Sequence, residues 1–261
     1  MSSCLAAITV YPVKSLDGLA ADGVAVLPSG ALAGDREWAL FDPAGAVVNT
    51  KRTARLCAVR ARFSADGRKV ALGTAGRADR EFLLESAAAD AAAWLTDALG
   101  EAVELRRDVV YGFPDDLAVP GPTLVSTATL ETVAGWFGLP LNEARRRFRT
   151  NLEVGGVPAF WEDTLVGAAP ETGTRLRIGG AVWRAASVCQ RCTVPTRDSR
   201  SGEARAGFQR EFMRRREEAL PAAARRGRFN HFYRLTLNLA PVSVAPDTVL
   251  HAGDAVEVRP P

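Results

Sequence analysis

The chain reads as a β-rich α+β protein, with barrel-like sheets carrying a few added helices. Short β-like runs recur between Gly, Pro and Asp turn signals through the first ~100 residues. Helical patterns are few and do not alternate regularly with strands, which disfavours doubly wound and (β/α)8 arrangements. The 261 residues are 47% hydrophobic and 24% charged, enough apolar material for a substantial core in one large or two small domains.

Residues 6–11, 24–27 and 37–41 read as strands. Asp42-Pro43-Ala44-Gly45 is a turn leading into Val47-Val48, a hairpin signal. Strands follow at 57–63, 69–72 and 81–84, the first two joined by the D-G turn in Ser64-Ala65-Asp66-Gly67. An Ala-rich helix is expected over 86–99, capped by Ser86 and stopped by Gly100. The Pro-rich stretch 113–122 reads as a boundary or crossing loop and divides the chain into domains 1–112 and 113–261. Ser126 can cap a helix running to about residue 137, ended by Gly138 and Pro140, and Asn142 can cap a second over 143–148. A short strand follows at 151–154. Residues 175–178 and 181–184 flank Gly179-Gly180, a two-residue hairpin signal whose second arm leads into a C-x-x-C. A basic helix is expected over 207–220. Leu235, Leu237 and Leu239 alternate with Thr236 and Asn238 as a half-buried strand does, and 249–258 reads as a last hairpin arm.

Charge and motifs exclude several functions. Lys plus Arg number 33 and Asp plus Glu 30, a net +3 that argues against a dedicated nucleic-acid or polybasic membrane-surface protein. No apolar run approaches the ~20 residues that span a bilayer. The start, Met1-Ser2-Ser3-Cys4-Leu5-Ala6-Ala7, lacks the basic and long apolar regions of a secretory signal, so a cytoplasmic protein is expected. There is no G-x-x-x-x-G-K, no G-x-G-x-x-G before a helix, no H-E-x-x-H and no G-x-S-x-G. The two histidines, His231 and His251, have no motif around them and read as structural or surface groups.

Cys4 and Cys57 read as small buried hydrophobes. Cys189-Gln190-Arg191-Cys192 leaves four readings open. Structural zinc needs about four ligands, and neither a second C-x-x-C nor a finger-spaced histidine exists. A thioredoxin-type dithiol needs a helix after the motif, and Thr193-Val194-Pro195-Thr196 is a poor helix start. A single reactive thiolate, helped by Arg191, could attack a substrate or bind a metal held mainly by other ligands. Two buried thiols is the plain alternative.

Tyr11-Pro12-Val13-Lys14-Ser15 ends the first strand. Lys14 is one of only three lysines, and a compact ammonium kept where Arg is habitual suits a phosphate. Arg36, in Gly34-Asp35-Arg36-Glu37-Trp38, is a second candidate phosphate contact. On its own segment each reads first as a surface charge. Arg149 and Asn151 lie where helix passes to strand, and Asn can read a planar heterocycle as both donor and acceptor. Ser126 and Thr127 open a helix, where N–H groups and hydroxyls suit anions, although capping alone accounts for Ser126. Arg145, Arg146 and Arg147 read as a solvated helix face. Arg214, Arg215 and Arg216 and the cluster Arg225-Arg226-Gly227-Arg228 read as surface, a docking face for an acidic partner.

Together Y-P-V-K-S, G-D-R-E-W, F-R-T-N before a strand, W-E-D at 161–163 and C-Q-R-C-T-V-P-T-R-D resemble the MOSC-domain proteins. The branch most resembled holds the mitochondrial amidoxime-reducing component and its bacterial relatives; the same domain ends the eukaryotic molybdenum cofactor sulfurase. The resemblance runs from Tyr11 to 252–256 and implies a small N-terminal β-rich domain followed by a MOSC-type β-barrel with added helices. It implies molybdenum cofactor, a pterin dithiolene carrying one phosphate, with Cys192 as the metal ligand and Cys189 in support. Lys14, Ser15 and Arg36 resemble positions holding the phosphate end. Ser126, Thr127, Arg149 and Asn151 resemble positions lining the pterin. Asp198, six places after Cys192, resembles an acidic residue acting near the metal. The implied activity is reduction of N-hydroxylated compounds, amidoximes and hydroxylamines. Since the chain has no ferredoxin-type cysteine cluster, electrons would come from a separate flavoprotein, ferredoxin or cytochrome b5-like donor. The alternatives are a non-catalytic cofactor or sulfur carrier, and a thiol-dependent protein without cofactor. Two departures stand out: Thr150 replaces the family's usual proline, and the basic segment 199–228 is unlike the nearest members.

Overall fold

The computed structural model describes residues 3–116 and 119–259. Met1 and Ser2, in the segment read for a signal, and Leu117 and Ala118, inside the Pro-rich stretch, lie outside the described residues. In chain order the elements are β1 (Cys4–Val10), β2 (Leu19–Ala21), β3 (Gly23–Ala25), β4 (Trp38–Phe41), β5 (Val47–Val48), β6 (Arg60–Phe63), β7 (Lys69–Thr74) and β8 (Arg77–Leu83). Then come α1 (Leu84–Leu99), β9 (Glu104–Arg107), β10 (Thr123–Ser126), α2 (Thr127–Phe137), α3 (Leu141–Phe148) and β11 (Leu152–Gly155). The chain closes with β12 (Arg175–Ile178), β13 (Ala181–Gln190), α4 (Phe208–Glu218), β14 (Arg234–Val244), β15 (Val249–His251) and β16 (Val256–Arg259). The β-rich α+β expectation holds.

The largest sheet has eight strands in the order β16-β12-β13-β14-β10-β11-β1-β2. Its pairs are antiparallel except β10 with β11, which run parallel because α2 and α3 carry the chain back between them. β1 and β2 thus extend a sheet made otherwise from strands within 123–259, and β3 pairs with β15. Leu5, Ile8, Val10 and Leu32 share one apolar core with Leu124, Leu152, Trp183, Leu237 and Leu239. Two smaller sheets, β5-β4-β9 and β6-β7-β8, close on α1 around a second core containing Val48, Leu72, Phe82, Trp94 and Leu95. A third, aromatic core joins α2, α3 and α4 through Phe137, Phe148, Phe208 and Phe212.

Several elements differ from expectation. Cys57 lies in a 3-10 turn over Ala54–Ala58, and the strand begins at Arg60. α1 starts at Leu84, with non-helical dihedrals at Ala87, so Ser86 is not its cap; Gly100 does end it in the left-handed region. Pro140 rather than Asn142 precedes α3, and the Asn142 amide oxygen instead accepts from Arg145 at 2.8 Å. Over 235–239, β14 is buried on both faces: Thr236 is 1% and Asn238 9% exposed. The polar residues of that second face meet protein rather than water: the Thr236 hydroxyl accepts from Arg191 at 3.4 Å, and the Asn238 amide donates to the Ser187 hydroxyl at 3.1 Å. Residues 249–258 form two strands in two different sheets, β15 and β16.

Two basic segments also change character. Arg216 is fully buried, ion-paired with Asp163 and 4.4 Å from the Phe160 ring centroid. The arginines of α3 are ion-paired, Arg145 to Glu153 at 2.7 Å, and Arg146 and Arg147 to Glu143 at 2.8 and 2.6 Å; Arg145 and Arg146 stay part-exposed, and Arg147 is buried.

Candidate functional site

Two adjoining cavities open where the first strand, the crossing loop, the end of α3 and the C-x-x-C converge. A small one of about 110 Å³ is lined by Lys14, Ser15, Arg36, Arg149, Asn151, Cys189, Arg191 and Cys192, among others. A cleft of about 580 Å³ lies beside it, and the two share Ser15, Thr50, Arg147, Arg149 and Val194. Six of the sequence-selected site residues therefore meet in one cavity: Lys14, Ser15, Arg36, Arg149, Asn151 and Cys192.

The backbone that assembles them is unusual. Among the described residues six non-glycine positions have positive φ. Ser15 (φ 73°), Arg36 (52°) and Arg149 (52°) are three of them, and Thr236 (72°), beside Arg191, is a fourth. Such conformations cost on the order of 1–3 kcal/mol each and gather where surrounding structure holds side chains for a task. Arg149 terminates α3 as its left-handed C-cap, which turns its side chain back over Tyr11, 4.2 Å from guanidinium carbon to ring centroid. Thr236 sits at an irregularity in the β13–β14 ladder, where Val188 pairs with Leu237 but Gln190 with Arg234. That bulge redirects the strand just as it delivers Cys189. Gly112 (φ +61°) brings the crossing loop within reach of the site; a Cβ there would lie 3.0 Å from the Asp35 carbonyl oxygen.

Charge pairs set the electrostatics. Lys14 donates from Nζ to the Phe113 carbonyl at 2.8 Å and to Asp115 Oδ1 at 2.9 Å. Burial pushes the Lys14 pKa down, with Asp115 opposing. Burial works against Asp115 as well, but Lys14 and Lys51 hold its carboxyl well below the usual range. Arg36 pairs with Asp35 and reaches Asn151 Oδ1 at 3.4 Å. The Asn151 amide is engaged throughout: Oδ1 accepts from the Thr123 N–H at 3.2 Å and hydroxyl at 3.1 Å, and Nδ2 donates to the Thr9 carbonyl at 3.1 Å. Among the described residues Arg149 has no carboxylate partner. Burial, then Arg36, lower its pKa, and one of its terminal nitrogens is buried without a hydrogen-bond partner.

Three other selected residues lie elsewhere. Ser126 is fully buried and caps α2: its hydroxyl accepts from the Thr129 N–H at 3.0 Å and donates to the Pro158 carbonyl at 3.3 Å. Ser126 and Thr127 line neither cavity. Asp198 lines the larger cleft without reaching the small one. Its Oδ1 accepts from the Arg200 and Ser201 N–H groups at 2.9 and 2.8 Å, and its Oδ2 lies 3.6 Å from Arg147. The N–H groups of Ser201 and Arg200 lower its pKa, so it is ionised at neutral pH and is a poor proton donor. Arg191 donates to Cys189 Sγ at 3.4 Å and to the Phe148 carbonyl at 2.8 Å, so its contact is with the first cysteine of the pair.

Sequence reasoning missed Tyr11, whose buried ring lies beneath both Arg36 and Arg149, and Asp115, the partner of Lys14. Tyr11 stood in the Y-P-V-K-S motif and could have been taken with it. Asp115 carried no local signal, because its role depends on the crossing loop folding onto a residue 101 positions earlier.

The residues present fit an anionic group that brings its own metal donors. Among the described residues no cluster of three or more His, Cys, Asp or Glu could hold a metal. The protein offers the soft sulfur of Cys192, suited to a metal already carrying sulfur ligands. Six cations line the small cavity (Lys14, Lys51, Arg36, Arg147, Arg149 and Arg191) against three carboxylates (Asp35, Asp115 and Asp116). Among the described residues an N–H group of Arg149 and one of Arg191, both residues of this lining, are buried without a hydrogen-bond partner.

This is a β-rich protein with a cysteine-bearing, cation-lined cavity at the junction of its sheets. Residues 2–97 match the MOSC N-terminal beta barrel domain and residues 123–257, over half of the chain, match the MOSC domain. The chain belongs to the MOSC domain family, whose domain is associated with the molybdenum cofactor. It is 26% identical over 225 residues to the molybdenum cofactor sulfurases of Drosophila yakuba and Drosophila erecta, and 27% identical over 229 residues to that of Drosophila grimshawi. These alignments cover 75% of this chain but 28% of each relative. Among solved structures, the YUAD protein of Bacillus subtilis aligns over 99% of this chain and 96% of its own, with a TM-score of 0.41 and 12% identity. Among the described residues no helix is long and apolar enough to cross a membrane.

Proposed function

We propose that this chain is a cytoplasmic molybdenum-cofactor-dependent reductase of N-hydroxylated compounds, amidoximes and hydroxylamines. The observation that carries the reading is the cavity in which Cys192 faces a surplus of cations with unsatisfied N–H groups. Cys192 would ligate the metal. Lys14, Ser15 and Arg36 would hold the phosphate end, and Lys14 would exchange Asp115 for it. Arg149 would donate to the pterin from its unpaired nitrogen. Asn151, its amide already bonded to Thr9 and Thr123, would act by fixing Arg36 and the β10–β11 junction rather than by reading the heterocycle. Asp198 would orient Arg147 and the loop that follows Cys192. When bound, the cofactor supplies two-electron oxygen-atom chemistry. For an amidoxime the N–O bond breaks, two electrons and two protons enter, and an amidine and one water leave. A separate donor protein, a flavoprotein, ferredoxin or cytochrome b5-like carrier, would deliver the electrons.

The second reading, a non-catalytic cofactor or sulfur carrier, draws on the names of the curated relatives, of whose length this chain spans 28%. The two part on turnover. Protein from a cofactor-making host should convert benzamidoxime to benzamidine with reduced methyl viologen, and Cys192→Ala should not. Bound cofactor with no conversion would leave the carrier reading.

A further inference from the structure

The 580 Å³ cleft is lined by more cations and fewer carboxylates than the cofactor cavity beside it. Its lining holds eight arginines and two carboxylates, Asp17 and Asp198. Five of the eight are neutralised locally. Arg60 meets Asp17 at 3.4 Å, Arg62 meets Asp79, and the three α3 arginines meet Glu153 and Glu143. Among the described residues Arg149, Arg197 and Arg200 have no carboxylate within ion-pair distance. Arg149 belongs to the cofactor cavity as well; Arg197 and Arg200 line the cleft only.

The loop carrying these two is built to present them. Asp198 ties it into a turn: its side chain takes the Arg200 and Ser201 N–H groups, while its carbonyl accepts from the Gly202 N–H at 2.9 Å. The one acid between the two arginines is therefore engaged by backbone through Oδ1 and by Arg147 through Oδ2, and pairs with neither Arg197 nor Arg200. Arg197 donates one terminal nitrogen to the Gly202 carbonyl at 3.0 Å, and its Nε is buried with no partner. A guanidinium fixed by one bond, lacking a counter-ion and left with an orphaned N–H, is a receptor for a planar or tetrahedral oxyanion. The cleft also adjoins Cys192 through a single 3-10 turn, Val194–Thr196, and Val194 lines both cavities. The two cavities are contiguous along the residues they share.

We propose that the cleft seats an oxyanionic substituent of the substrate, a carboxylate or phosphate gripped by Arg197 and Arg200. The inference rests on the reductase reading and specifies its substrate class: N-hydroxylated compounds that carry a negative charge away from the reacting N–O group.

The test is calorimetric titration of molybdenum-loaded protein with three probes: benzamidoxime, 4-carboxybenzamidoxime and 4-phosphonobenzamidoxime. The wild type should bind the charged probes roughly tenfold or more tightly than the neutral one, the scale of a charge-assisted hydrogen bond. Whichever charged probe binds more tightly identifies the oxyanion. Raising NaCl from about 50 to about 300 mM should shrink the preference in the unmutated protein, and the double variant Arg197→Gln/Arg200→Gln should abolish it. No preference in the wild type, or a preference that survives the double variant, overturns the proposal. So does loss of molybdenum from that variant with equal weakening of all three probes, since the cleft would then hold the cofactor's own phosphate. Binding is read independently of turnover. A charged-probe preference in a protein that reduces none of the three would sink the reductase reading and leave the anion site standing.

Discussion

Glu162 is 0% exposed, and neither of its carboxylate oxygens has a hydrogen-bond partner. Burial, reinforced by Asp163, pushes its pKa up to about 7. An acid whose folded pKa is raised stabilises the fold fully below its unfolded value, near 4.5, and loses that contribution as pH rises through the folded one. Stability should therefore fall between about pH 4.5 and 7, by on the order of 3 kcal/mol for such a shift. Glu162→Gln, neutral throughout, should match the wild type in Tm near pH 4.5 and exceed it at pH 8; parallel Tm curves would contradict this. The adjacent Asp163–Arg216 pair responds differently. Arg216→Ala strands a buried carboxylate and should cost about 3–5 kcal/mol in urea unfolding; a loss under about 1 kcal/mol would mean the pair is solvated. None of this was legible in the sequence. Three consecutive arginines read as surface, and only the packing of α4 against Phe160 and Asp163, some fifty positions away, turns the third inward.

Elements with local signals were the legible ones. The turn at Asp42-Pro43-Ala44-Gly45, the Gly179-Gly180 hairpin, the Gly100 and Gly138 stops and the Ser126 cap all rest on chemistry within a few residues. Ser86 and Asn142 carried the same signal and do not cap, because Leu84 and Leu141 start their helices earlier. Ser126 offers a clean separation of roles. Its hydroxyl faces Thr129 and Pro158, so Ser126→Ala should lower stability by about 1 kcal/mol, as the loss of a cap does. Molybdenum retention should be unchanged by that substitution, and a metal-depleted variant would instead restore Ser126 to the cofactor site. The two-sided burial of β14 over 235–239 was illegible for the opposite reason: alternation reports one covered face, and the partners of the second, Arg191 and Ser187, lie some fifty positions away.

Across the whole molecule the site lies where distant stretches of chain meet. Its walls come from residues 14–51, the crossing loop at 114–123, the α3–β11 junction and the C-x-x-C. Motif order found the side chains one stretch at a time, through Lys14, Arg36, Arg149, Asn151 and Cys192. What it could not supply was the closure: β1 and β2 joining the sheet formed within 123–259, and Asp115 folding onto Lys14. Those contacts cost loop-closure entropy and leave no local trace. The central claim is that this closure builds a molybdenum cofactor site ligated through Cys192. The most direct measurement is molybdenum content by elemental mass spectrometry, on wild type, Cys189→Ala and Cys192→Ala purified from a cofactor-making host. Near-stoichiometric metal in the wild type, largely kept by Cys189→Ala and lost from Cys192→Ala, is the predicted result. A folded wild type without molybdenum, or a Cys192→Ala protein that keeps its full complement, would contradict it.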